Sequence, residues 1–259
     1  MRKRVSTVAG FVIAAAIWPS AAGAAPPRAT HAQLLPDLVT MPVTDVRIQK
    51  GPGVKRLRFS NTIENIGVGP LELFPVANDC NGNGDVTDDR TAMQQPYVDT
   101  NDDGVFERSS DQPSGTPIVV GCYVFHPAHD HWHLKDFARY ELHRWSSKGV
   151  VVSSREKVSF CVGDDFAVQP GLPGSPRMPY YTACTADSTT GLSIGWADLY
   201  GSDLQGQSLD IRGLAEGRYC LVSTADADGH ILESDATNDV ATLRIRIHGS
   251  NLVNTGLGC

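Results

Sequence analysis

An all-β sandwich with long loops and little helix is the fold this sequence predicts. Apolar and polar residues alternate at period two in short runs, Gly and Pro punctuate those runs, and no long segment repeats at 3.6 residues.

The chain opens with Arg2, Lys3 and Arg4, continues through the apolar run Val8 to Trp18 and reaches Ala22-Gly23-Ala24 before Pro26. That order of charge, apolar run and small residues is a secretory signal, expected over residues 1–24. Its apolar run is too short to span a bilayer comfortably and no second long one follows, so a secreted protein without a membrane span is expected. Residues 25–36 are Pro/Ala-rich and read as a disordered lead-in to one domain over residues 37–259.

Strand-like runs then follow at Leu38 to Ile48, at Leu57 to Asn65 with its alternation Leu57, Phe59, Asn61, Ile63, and at Leu71 to Phe74. Between Asn78 and Gly115 the chain turns polar and holds two similar loops. Asp79, Asn81, Asn83 and Gly84 take the first, third, fifth and sixth positions of a calcium loop, as do Asp99, Asn101, Asp103 and Gly104; the glutamate of position twelve is replaced by Arg90 and Ser110. Calcium stands here against a pair of polar Asx turns. Further strands are expected at Tyr140 to Leu142, Val150 to Val152 and Val158 to Val162, then a Pro/Gly-rich loop over residues 163–180. A hairpin-rich last third has Leu209 to Ile211 and Tyr219 to Ser223 flanking a turn. A half-buried final strand places Leu243, Ile245 and Ile247 on one face and Arg244 and Arg246 on the other.

Without residues 1–24 the chain has 19 basic and 29 acidic residues, a net charge of −10. Such a surface excludes nucleic acid and anionic lipid as natural partners and favours cationic, lysine-bearing ones. Its six cysteines are even in number, lack any Cys-x-x-Cys spacing and suit disulfides in an oxidising compartment, with the pairing open.

The densest chemistry lies in His126 to Tyr140, HPAHDHWHLKDFARY, which holds four of the chain's eight histidines. On an extended chain His129, His131 and His133 project to one face. At about 3.3 Å per residue the outer two would stand roughly 13 Å apart on a straight strand, so a bend or bulge is expected there. Three neutral imidazoles without thiolate or carboxylate suit Cu(II) or Zn(II).

Together with LPDLV at Leu35, KVSFC at Lys157, ACTA at Ala183, GLSIGWADLYG at Gly191 and LESDATND at Leu232, this motif resembles the catalytic domain of the lysyl oxidases over Leu35 to Ile247. The resemblance implies a copper-dependent amine oxidase that turns primary amines, peptidyl lysine among them, and O2 into aldehydes, ammonia and hydrogen peroxide. It assigns copper to His129, His131 and His133, and the lysine tyrosylquinone cofactor to Lys157 and Tyr200. A phenol near Cu(II) and O2 can become a quinone to which a neutral amine adds, a role arginine cannot fill. Asp136 and Asp198 are candidate general bases by their nearness in sequence to these residues. The resemblance also implies a structural calcium site formed by Asp37, the Leu38 carbonyl, Glu233, Asp235, Asn238 and Asp239, an oxygen-only set suited to a hard cation. The stretch between Lys157 and Tyr200 departs from the family pattern in being longer and proline-rich. Two other readings, a non-catalytic calcium-binding adhesion sandwich and a zinc hydrolase, account for the strands or the histidines but leave Lys157 and Tyr200 unexplained.

Overall fold

In a computed structural model of the chain, residues 31–127, 130–249 and 251–259 are described, apart from the side chains of residues 155–157 and 254. The export signal expected over residues 1–24, and residues 25–30 of the lead-in, lie outside the described residues. These hold eighteen strands and no helix, so none is long and apolar enough to cross a membrane. The first nine are β1 (Gln33–Leu34), β2 (Leu38–Thr40), β3 (Thr44–Gly51), β4 (Val54–Asn65), β5 (Leu71–Val76), β6 (Asp89–Gln94), β7 (Tyr97–Val98), β8 (Gln112–Pro113) and β9 (Ile118–His126). The others are β10 (His131–Arg144), β11 (Val151–Phe160), β12 (Phe166–Ala167), β13 (Thr190–Leu192), β14 (Trp196–Tyr200), β15 (Ser208–Asp210), β16 (Gly217–Ala225), β17 (Val240–His248) and β18 (Asn251–Leu257).

The strands form two large antiparallel sheets and a small one. The larger runs β13-β5-β6-β9-β10-β16-β17-β18, with β11 also on β10; the second runs β12-β14-β4-β15, with β2 and β3 also on β4; β1, β7 and β8 form the third. Period two explains which faces meet. In β4, Leu57, Phe59 and Ile63 are fully buried, and in β17 Leu243, Ile245 and Ile247 are buried while Arg244 and Arg246 are exposed. The rings of Phe59 and Tyr140 meet edge to face at 4.8 Å, joining β4 of one sheet to β10 of the other across the core.

Four sequence expectations need correction. The run Leu38 to Ile48 is two strands, because the ladder to β4 ends at Thr40, Met41 keeps one bond to Thr62, and pairing resumes only at Thr44. Residues 31–36, expected to be disordered, carry β1, and Leu34 is buried with Tyr97, Phe106 and Ile194. Polar residues 89–94, read as loop, form β6, whose pairing to β5 and β9 supplies what its composition lacks. The strand at Leu243 to Ile247 is not the last, since β18 adds to its edge. The open cysteine pairing resolves into Cys80–Cys122, Cys161–Cys184 and Cys220–Cys259, the last closing the chain end onto β16.

The Asn-Ile-Gly-Val-Gly turn after β4 shows why those residues are needed. Asn65 accepts the N–H groups of Asp37 and Gly67 and donates to the carbonyls of Gly69 and Leu192, four bonds from one buried amide. A Cβ on Gly69 would lie 2.1 Å from the Leu34 carbonyl oxygen, so only glycine lets the two chain segments approach.

Candidate metal and cofactor site

Strand β10 organises the site because three neighbours share its two edges. β9 pairs with residues 131–134, β16 with 138–144 and β11 along 134–143. Between Leu134 and Ala138 the β11 register shifts, and Asp136 sits there at φ 65°. Asp130, between His129 and His131, also lies at positive φ, 56°, so the backbone bends within the histidine motif as expected and again just after it. β10 begins at His131, whose register partner is His126; His129 lies outside the described residues.

His131 and His133, two apart on β10, project to one face as the alternation predicts. Their ring centroids are 4.8 Å apart, and the His126 ring stacks on His133 at 4.8 Å. His133 is 2% exposed, and its Nδ1 lies 3.1 Å from the hydroxyl of Ser159 on β11. Such a bond fixes the orientation of an imidazole. Among the described residues no three His, Cys, Asp or Glu groups stand at ion-holding distance; two of the three expected copper ligands are among them.

Tyr200 arrives from the other sheet. β14 pairs with β4, which sets Tyr200 opposite Asn61, and its ring packs against Phe160 at 3.8 Å and edge-on to His133 at 6.4 Å. Its hydroxyl accepts the backbone N–H of Cys161. Tyr200 therefore meets the end of β11, four residues beyond Lys157. The Lys157 side chain lies outside the described residues; its backbone stands two positions before Ser159 on β11. The proline-rich stretch between them folds back on itself. The Cys161–Cys184 disulfide closes it, and the Cys184 carbonyl accepts the N–H of Trp132 within the histidine motif.

A cavity of about 280 Å³ opens beside Tyr200, lined also by His131, Cys161, Asp165, Asp198 and Leu204. Asp198 is 2% exposed, and burial, then the adjoining Asp165 carboxylate, push its pKa well above the usual carboxylate range. Burial likewise raises the Tyr200 phenol, with the Asp198 charge adding to it, so the hydroxyl stays protonated at neutral pH. Asp136, the other candidate base, is not among the cavity's lining residues.

Sequence reasoning missed the groups that hold these residues in place. Asp164 accepts the N–H groups of Tyr180, Tyr181 and Ser193 and pins the long loop beside Asp165. Arg58 donates to the carbonyls of Ser202 and Leu204 and fixes the turn after Tyr200. Nothing in local pattern marks either, because their partners lie far along the chain.

The candidate calcium residues are brought together from the two ends of the domain. Asn238 donates to Asp37 at 2.7 Å, and the Leu38 N–H donates to Glu233 at 2.9 Å. Burial raises Glu233 to about 8 and Asp239 to about 6; each also feels Asp37 and Asp226, the latter unmarked in the sequence. Asp235 is exposed and turned to Thr237 in an Asx turn.

A sequence profile described as Lysyl oxidase matches residues 115–256. The chain is 33% identical over 137 residues to the protein-lysine 6-oxidase of Homo sapiens, covering 52% of this chain and 30% of that protein. To the lysyl oxidase homolog 2 of Xenopus tropicalis it is 28% identical over 131 residues, 50% of this chain and 16% of the relative. The protein-lysine 6-oxidase of Sus scrofa matches at 33%, with 51% of its length covered. The chain thus spans about half or less of the relatives it matches. The profile begins at residue 115, after Asp37, Leu38 and both candidate calcium loops.

Proposed function

The chain belongs to the lysyl oxidase family, and we propose from this that it is an exported copper- and quinone-dependent amine oxidase. Its substrates would be primary amines, including lysine side chains of exported proteins, which with O2 and water give an aldehyde, ammonia and hydrogen peroxide. One observation carries the reading: the Tyr200 phenol, from one sheet, packs within 6.4 Å of the His133 ring on the other, beside a cavity lined by carboxylates.

The donor chemistry fits copper, since imidazoles are borderline nitrogen ligands and no free thiol competes among the described residues. His129, His131 and His133 would hold it, and Lys157 and Tyr200 would become the quinone. Bound there, the metal would supply redox chemistry for oxidising a phenol with O2, and the quinone an electron sink for amine oxidation.

The chain's own residues do the rest. The Cys161 N–H and the Phe160 ring hold the Tyr200 ring in one orientation at the cavity wall. The carboxylates of Asp165 and Asp198 attract a cationic amine and orient its nitrogen. Asp198, rather than Asp136, takes the proton from the carbon bearing the amine, because it shares the cavity with Tyr200 and its raised pKa makes it a stronger base.

In Asp198→Asn, kcat should fall by about 10²–10⁴ while the quinone still forms, as judged by its visible colour with phenylhydrazine. For the parent, kcat/KM should fall as pH drops through the raised Asp198 pKa, above the usual carboxylate range, and the variant should lose that limb. Retention of both rate and limb would remove Asp198 from the role. The function itself is tested by mass spectrometry of the copper-loaded chain after exposure to O2. A cross-linked Lys157–Tyr200 peptide supports it; bound copper with both residues unmodified overturns it.

The structural calcium site is the second part of the proposal. Burial raises Glu233 and Asp239, the charges of Asp37 and Asp226 add to it, and a hard cation among these groups would relieve that repulsion. At calcium concentrations near 100 times Kd the gain is about 2.7 kcal/mol, or roughly 5–10 °C in Tm for a domain of this size. Most of that shift should disappear in Glu233→Gln, and an unchanged calcium response in a melting curve would discard the site.

A further inference from the structure

The two polar loops share one calcium-loop spacing, but the fold gives them different interiors. In the first, Asp79 has both carboxylate oxygens occupied, Oδ1 by the Gly82 N–H at 2.6 Å and Oδ2 by the Gly84 N–H at 2.5 Å. In the second, Asp99 is 2% exposed; its Oδ2 accepts the Gly104 N–H at 2.6 Å, while its buried Oδ1 has no hydrogen-bond partner. Burial alone would raise the Asp99 pKa. Backbone N–H groups, that of Gly104 foremost, overcome it and hold the carboxylate ionised at neutral pH. An ionised oxygen shut away from water and unsatisfied by protein is unfavourable unless something else binds it.

A second buried acid braces the loop through the backbone. Asp111, one place beyond the twelfth position and 3% exposed, accepts the N–H of Thr100 at 3.1 Å and of Glu107 at 2.6 Å, which closes the neck of the loop beside Asp99. Asn101 and Asp103 fill the third and fifth positions, and Val105 the seventh, where such loops use a main-chain carbonyl.

We propose that the loop Asp99–Val105 is a calcium site, built on the unsatisfied Asp99 Oδ1 with Asn101, Asp103 and the Val105 carbonyl as further oxygen donors, and that the Asp79 loop is not. The site is separate from the Glu233 cluster and from the amine oxidase reading, and stands if either fails. Its place in the fold gives it a task. The Asp99 N–H donates to the Ala32 carbonyl beside β1, and Phe106 within the loop packs with Leu34, Tyr97 and Ile194. An ion there ties the small sheet and its satellite core to the domain.

Calcium alone, titrated by calorimetry into the full chain stripped of divalent ions, tests this. Asp99→Asn and Asp103→Asn should each lose one equivalent of calcium, or bind it at least about tenfold more weakly. That equivalent should persist in Asp79→Asn and in Glu233→Gln. Its retention in the Asp99 and Asp103 variants, or its loss in Asp79→Asn or Glu233→Gln alone, overturns the proposal. Asp103 is exposed, so Asp103→Asn decides the matter even where Asp99→Asn does not fold.

Discussion

Tyr200→Phe should abolish amine oxidation while leaving the protein folded. The substitution keeps the ring that packs against Phe160 at 3.8 Å and His133 at 6.4 Å and removes only the hydroxyl bonded to Cys161 N. The structural cost is one hydrogen bond, about 1 kcal/mol. The chemical cost is total under the proposed function, because a benzene ring without its oxygen is not converted to the quinone. A rate enhancement on the order of 10⁶ or more should fall to background. Peroxide release, visible absorbance and the mass of the Tyr200 peptide would be measured on copper-loaded protein with a wild-type melting curve. Persistent turnover would show that the electron sink lies elsewhere.

The second large effect is expected at the histidines. His131→Ala should cut copper affinity by well over the roughly 10–100-fold that losing a supporting hydrogen bond causes. Activity and cofactor formation should disappear with it. His131 is partly exposed at the cavity wall, so its removal should disturb packing little, whereas His133 is buried and a change there would mix folding with metal loss. His248, exposed and paired with Glu216 at the far end of β17, is the matched control, and His248→Ala should bind copper as the parent does. Equal copper stoichiometry in the two variants, read by elemental analysis and the copper EPR signal, would remove His131 from the ligand set.

Much of the site was legible because its chemistry is local. His131 and His133 share a face through the two-residue period of a strand, and β10 delivers them as that period requires. The same period places Leu243, Ile245 and Ile247 inward and Arg244 and Arg246 outward in β17. Asp198 and Tyr200, two apart in β14, both line the cavity, with Leu199 between them at its rim. The expected bend occurs at Asp130, just before His131, and a second one at the Asp136 bulge was not foreseen, since strand length limits how far imidazoles reach but does not say which residues leave the ladder.

By itself the sequence determined the all-β class, the inward faces of β4 and β17, the histidine motif and the loop spacings, since each depends on residues within a few positions of one another. The tertiary structure alone decided which cysteines pair, that polar residues 89–94 form a strand, and that Tyr200 meets Cys161 and His133. It also decided that Asp165 stands against Asp198, and that Asp99 is sealed while Asp79 is not. Those outcomes depend on which strands from opposite ends of the chain bury one another. Burial is a property of the assembled sheets, set by the summed apolar area they remove from water rather than by any local run of residues.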